Sequence, residues 1–145
     1  MESLIAPALL VLLTSVLGFL IKALQGRGHK VVSHEVVDLS RLPATQNNIP
    51  TTELGAKGTL LQFSTQYCGQ CPGVRRQLAQ LAYRLGGLSH LEVDITDRLD
   101  VAAHFGISQT PTVLLLDSKG EIVYRFGGIP NLQSLNQEIA KLGVK

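Results

Sequence analysis

The chain has 145 residues, 13 of them basic and 11 acidic, for a formal charge of +2. That balance, with no tryptophan and 5% aromatic residues, gives no basic–aromatic surface for nucleic acid, so no nucleic-acid partner is expected. The length suits one domain plus a short appendage, and no internal repeat, low-complexity tract or glycine-rich phosphate loop is present.

The appendage comes first. Leu4 to Ile21 carries no charge, and as a helix it would extend about 27 Å, close to the hydrocarbon thickness of a bilayer. Pro7 falls in the first turn of that helix, where a missing N–H costs little. A cleaved signal peptide would need a basic start and a small-residue cleavage site. Only Glu2 precedes the run and no A-x-A pattern follows it, so an uncleaved anchor over residues 1–22 is the reading taken. Lys22, Arg27 and Lys30 all follow the span and none precedes it, which places the C-terminal domain in the cytoplasm by the positive-inside rule. The expected product is a single-pass membrane protein.

Residues 23–54 read as a juxtamembrane segment and first strand with its connection. Gly26 to Lys30 reads as an exposed hinge, Val31-Val32 and Val36 to Leu39 as the first strand, and Leu42 to Leu54, with Pro43, Asn47-Asn48 and Pro50, as irregular chain. Thr59 to Thr65 is an apolar and β-branched strand. Val74, Leu78, Leu81 and Leu85 then mark one face of a helix, with Arg75, Arg76, Gln77, Gln80 and Arg84 opposite and Gly86-Gly87 as its stop. His90 to Ile95 reads as a strand, and Asp97 to Phe105 as a short helix burying Leu99, Val101 and Ala102. Leu114 to Leu116 suits a strand covered on both faces. Asp117 to Gly120 is a turn, and Glu121 to Phe126 an edge strand of a hairpin. Asn131 caps a final helix with Leu132, Leu135, Ile139 and Leu142 on one face, closed by Gly143.

The two cysteines carry the chemistry. Cys68-Gly69-Gln70-Cys71 lies where the Thr59–Thr65 strand gives way to the helix, and in a strand–turn–helix setting that spacing reads as a reversible dithiol–disulfide pair. A cysteine at a helix N-terminus meets free backbone N–H groups and the positive end of the dipole, both of which favour thiolate; this makes Cys68 the nucleophile and Cys71 the resolving thiol. A closed zinc site needs four ligands; two cysteines are available, and neither His90 nor His104 shows ligand spacing. No metal and no cofactor is called for, and both histidines read as surface or hydrogen-bonded polar residues.

Tyr67-Cys68-Gly69-Gln70-Cys71, the Leu91-Glu92-Val93-Asp94 strand and Thr110-Pro111-Thr112 ahead of a buried strand together resemble the thioredoxin family, from about Thr59 to the C-terminus. The resemblance implies an α/β fold, a mixed central sheet flanked by helices over residues 55–145, with a short helix between Leu42 and Leu54. It implies a cis Pro111 against the disulfide, and substrate contacts from Tyr67, Gly69, Gln70, Thr110 and Pro111. It also implies protein-disulfide substrates and an electron donor, of thioredoxin-reductase type if the domain is cytoplasmic. Tyr67 stands where the family usually has tryptophan, and offers a flat face to a substrate or simply packs. Gln70 replaces the usual proline, and Pro72 after the motif is atypical. Gln62 occupies the strand position where many thioredoxins carry a buried acid that assists deprotonation of the resolving cysteine. A glutamine cannot titrate, so it either positions a water or serves only as a hydrogen-bonded strand residue.

The expected activity is membrane-tethered reduction of protein disulfides. The competing readings are an extracytoplasmic thiol–disulfide exchange protein, of cytochrome-maturation or disulfide-forming type, and a non-catalytic thioredoxin-like binding module. Intact Cys68 and Cys71 disfavour the last.

Overall fold

The computed structural model describes residues 2–24, 28–31 and 35–144. Helix α1 (Glu2–Leu24) contains an 18-residue window, Ile5–Lys22, long and apolar enough to cross a membrane, with none of it buried against the rest of the chain. The helix starts two residues before the expected span, so Pro7 is its sixth residue and lies beyond the first turn, where it removes one backbone hydrogen bond.

The remainder is one seven-stranded sheet. Its strands are β1 (Gly28–Lys30), β2 (Ala44–Gln46), β3 (Ile49–Pro50), β4 (Gly58–Ser64), β5 (Leu88–Asp94), β6 (Thr112–Asp117) and β7 (Ile122–Gly127). They lie in the order β1-β7-β6-β4-β5-β2-β3. Only β4 and β5 run parallel, joined by the helical crossover α2 (Cys71–Arg84); every other pairing is antiparallel. Helices α3 (Leu99–His104) and α4 (Leu132–Lys141) complete the fold.

β4 is the central strand, and all seven of its residues are buried, as the unbroken run Gly58–Ser64 requires of a strand covered on both faces. Its alternate residues feed two cores. Leu61 and Phe63 join Leu91, Val93, Leu114, Leu116 and Ile122 on one face, under α3. Leu60 joins Leu88, Val113, Leu115 and Phe126 on the other, against Val74, Leu78 and Leu81 of α2 and Leu135 and Ile139 of α4. The α4 cap is as expected: the Asn131 side chain accepts from the Ser134 N–H, and Gly143 closes the helix at φ 75°.

Five expectations are corrected. Gly28 to Lys30, placed in a hinge, is strand β1; Gly26 and Arg27 fall outside the described residues. The first strand is therefore β1 and not Val31–Val32 with Val36–Leu39. Val32 lies outside the described residues, Val36 makes only an isolated bridge to Glu121, and Leu39–Arg41 is a 3-10 turn capped by Asp38. β1 pairs outside β7, so Glu121–Phe126 does not form the sheet edge.

The stretch 42–54 holds no helix but the β2–β3 hairpin. Asn47 and Asn48 form its two-residue turn with φ of 51° and 65°, the left-handed conformation that asparagine tolerates and that matches strand twist. Leu99, expected to be buried, opens α3 at 79% exposure, while Val101 and Phe105 carry its packing.

Candidate functional site

Cys68 emerges from the end of β4. Its N–H donates to the Thr65 carbonyl, and its own carbonyl accepts from the Cys71 N–H at 3.3 Å. Helix α2 begins at Cys71, so Cys68 sits in the turn ahead of the helix and not within its first turn. Pro72 gives the reason. It has no N–H, so a helix that included Cys68 would lack the bond to the Cys68 carbonyl and would press the proline ring against it. As the second helical residue, Pro72 costs nothing. No acidic residue lies in the first turn of α2 to offset the positive end of its dipole.

The two cysteines form a disulfide with Cα atoms 5.5 Å apart. Burial separates them. Cys68 is partly exposed, whereas Cys71 is 1% exposed and packs with the core. An incoming sulfur can reach only the first. Around it, Tyr67 is 84% exposed, Gly69 and Gln70 are exposed, and nothing lies within 4 Å of where a Gly69 side chain would start.

The Thr110–Pro111 peptide is cis, and Pro111 is buried. Register places it. Thr112 pairs with Phe63 near the end of β4 and with Gly127 of β7, the Gly128 N–H donates to the Pro111 carbonyl, and the Thr65 and Thr110 hydroxyls meet at 3.4 Å. Thr110-Pro111 is thereby held beside the strand end from which Cys68 departs. Tyr67, Gly69 and Gln70 frame the same end.

Beneath the dithiol lies a buried polar group. Gln62 is fully buried; its Nε2 donates to the Cys71 carbonyl at 3.2 Å, and its Oε1 lies 3.1 Å from His90 Nε2. Because Oε1 can only accept, His90 carries its proton on Nε2 and donates. His90 is 6% exposed, and burial pushes its pKa down to about 4, with the Glu92 carboxylate opposing that shift and the Arg75 guanidinium adding to it. A cleft of about 140 Å³ between α2 and the β2–β3 hairpin is lined in part by Asn47, Ala79, Tyr83 and His90.

Two residues along, Glu92 is 8% exposed and fully engaged. Ser64 Oγ donates to Oε1 at 2.6 Å, and Arg75 grips both oxygens, Nη2 to Oε1 at 2.8 Å and Nε to Oε2 at 2.6 Å. This two-point pairing anchors the second turn of α2, and with it Cys71, to β5. Among the described residues no buried side-chain nitrogen or oxygen lacks a partner.

The sequence reading named Gln62 but missed Ser64, Arg75, His90 and Glu92 as one assembly. The signal was present. Gln62-x-Ser64 and His90-x-Glu92 are alternate polar residues in two apolar strands that pair in parallel, Gln62 opposite Glu92. His90 is the hydrogen-bonded polar residue of the two histidines. His104 is the surface one, 3.3 Å from Glu35. No cluster of three or more metal-ligating side chains occurs among the described residues.

Comparison with known proteins agrees with this geometry. The family model for thioredoxin matches residues 45–141. Chicken thioredoxin is 30% identical over 88 residues, covering 61% of this chain and 82% of its own. Mouse mitochondrial thioredoxin is 32% identical over 84 residues, and the chain spans about half the length of that relative, 50%. In structure, spinach chloroplast thioredoxin f (TM-score 0.52, 24% identity, 61% of this chain and 78% of that one) and Fasciola hepatica thioredoxin (0.50, 23%, 60% and 82%) share the fold. The chain belongs to the thioredoxin family.

Proposed function

We propose that this protein reduces protein disulfides through Cys68 and Cys71 while tethered to a membrane by α1. The observation that carries the reading is the asymmetric pair: a Cys68–Cys71 disulfide with one sulfur open to partners and the other buried under α2. In the reduced protein the Cys68 thiolate attacks a substrate disulfide and releases one substrate thiol. Cys71 then attacks Cys68 Sγ, releasing the second substrate thiol and restoring the internal disulfide. Two electrons and two protons pass to the substrate, and a dithiol donor returns them. Tyr67, Gly69, Gln70, Thr110 and Pro111 supply the surface on which the substrate strand lies.

The division of the chain that fits this role is an anchor over residues 1–22 and a redox unit whose sheet starts at Gly28, upstream of the expected boundary at residue 55. Lys22, Arg27 and Lys30 favour the cytoplasmic side. Reduction of insulin by the full chain in detergent, with dithiothreitol as donor, tests the activity. Cys68→Ser should abolish it, and Cys71→Ser should stall at a mixed disulfide that gel analysis under non-reducing conditions detects. More trapping by Cys68→Ser than by Cys71→Ser would reverse the order of attack. A reporter fused after Lys145 tests the side of the membrane.

A further inference from the structure

The point at which the anchor joins the sheet constrains which disulfides the dithiol meets. Gly28 opens β1 opposite Phe126, Gly127 pairs with Thr112, and Thr112 pairs with Phe63. The chain therefore enters the sheet at the end that carries Cys68, Pro111 and Gly128, not at the opposite end. Three residues, 25–27, separate α1 from β1. Whatever their path, four Cα steps span at most about 14 Å. The end of β4 lies three strand spacings from Gly28, again about 14 Å. The Ser118-Lys119 turn lies at the other end of β6, about 17 Å farther along the strands.

The composition of that end agrees. Three of the segments around Cys68, Thr65–Gln70, Phe105–Thr112 and Gly127–Gln133 into the start of α4, contain no charged residue in a chain that has 24. Tyr67, Ile129 (48% exposed) and Leu132 (41%) project from them. Asp94, the last residue of β5, lies on the side of β4 away from β1. Asp97 and Arg98 follow in the β5–α3 loop, whose Thr96 Oγ1 accepts from the Gln66 N–H, and the Arg125 guanidinium donates to the Phe105 and Gly106 carbonyls. Uncharged segments with an exposed tyrosine on the β1 side of this end suit the boundary between water and lipid headgroups.

We propose that the redox end faces the bilayer and that its substrates are disulfides in the juxtamembrane segments of integral membrane proteins. The proposal rests on the reading of α1 as a membrane anchor. The thiol exchange is the one already described: a substrate S–S bond breaks, two substrate thiols form, and the Cys68–Cys71 bond takes its place.

The test uses the full chain in vesicles of phosphatidylcholine and phosphatidylglycerol. With both native cysteines replaced by serine, a fluorophore is attached through Ile129→Cys at the redox end or Lys119→Cys at the far end. Headgroup nitroxide lipids should quench the label at 129 several-fold more than that at 119. Equal quenching, or stronger quenching at 119, overturns the proposal while leaving the anchor intact. Failure of the chain to float with the vesicles overturns both. Function provides a second measurement. The pre-reduced native chain is given, in single turnover, a designed transmembrane peptide whose disulfide loop directly follows the span, or one set off by a 20-residue helix, about 30 Å. The adjacent loop should be reduced several-fold faster, as its higher effective concentration requires. Equal rates, or a faster set-off loop, would refute the proposal.

Discussion

The two faces of the central sheet are built to different rules. Under α3, the middle of the face is hydrocarbon: Leu61, Phe63, Leu91, Val93 and Leu114, with Thr59 and Thr112 only at its two ends, each hydroxyl bonded to backbone. Under the first turns of α2, the same two strands present Gln62, Ser64, His90 and Glu92, all buried. Burying polar groups costs free energy even when they are paired, and an apolar replacement of similar size is often no less stable. The polar side chains are confined to the half of the sheet that carries Cys71. Their bonds run to the Cys71 carbonyl and to Arg75 of the same helix. The contrast indicates that one face serves stability and the other fixes α2, and hence Cys71, at some energetic cost.

The largest effect expected from breaking this contrast lies on the apolar face. Phe63 is fully buried and its ring centroid lies 5.2 Å from that of Phe105. Phe63→Ala should cost about 3–5 kcal/mol of stability, through lost transfer energy and the cavity left behind. Urea unfolding of the full chain in detergent measures it. The loss should be independent of pH, and the rate of alkylation of reduced Cys68 should not change. A shift in that rate would mean the two faces are not separable.

The polar face should show a pH dependence that the other lacks. His90 has a folded pKa pushed down to about 4 from an ordinary 6.5, chiefly by burial. Between those values the unfolded chain holds a proton that the folded chain does not, so stability falls as pH drops from about 6.5 and the loss levels off below about 4. The window of some 2.5 pH units corresponds to about 3 kcal/mol. His90→Gln removes the titrating group, so as pH falls across this window the native protein should lose about 3 kcal/mol relative to the variant. A constant difference from pH 7 to pH 4 would show that His90 is more open to water than its surroundings imply.

How much of this was legible in the sequence differs between the same regions. Elements with an unbroken or helical apolar period, β4, α2, β6 and α4, could be read directly, because burial on a known face dictates side-chain type at each position. The dithiol and the Thr110-Pro111 step were legible as local patterns. The edge strands were not. β1, β2 and β3 have two or three residues each, too few for any period, and are held by backbone pairing that any sequence can make. Asn47-Asn48 was the one available signal for the β2–β3 hairpin, and its turn chemistry was read only as irregular chain. The buried polar assembly was obscured for a related reason. A strand read alone shows that Gln62 or His90 is polar, but only the parallel register shows that they face the same helix.

The smallest predicted effect tests whether that assembly acts as a unit. Gln62 links the Cys71 carbonyl to the His90 ring, using one donor and one acceptor of the same amide. Gln62→Met keeps the length of the side chain and leaves both the carbonyl and the His90 N–H without this partner, which should cost about 1–3 kcal/mol. His90→Leu removes the imidazole and leaves Oε1 without its donor. If the Gln62–His90 bond is a real link, the double variant should be about 1 kcal/mol more stable than the sum of the single losses predicts, because the second change removes a group that the first has already left unpaired. Measured above pH 7, where His90 is neutral in both folded and unfolded chains, the coupling is free of the titration described above. A coupling near zero would mean that Gln62 is held by the Cys71 carbonyl alone. His90 would then be a separate buried group, and the polar face would be two local solutions side by side.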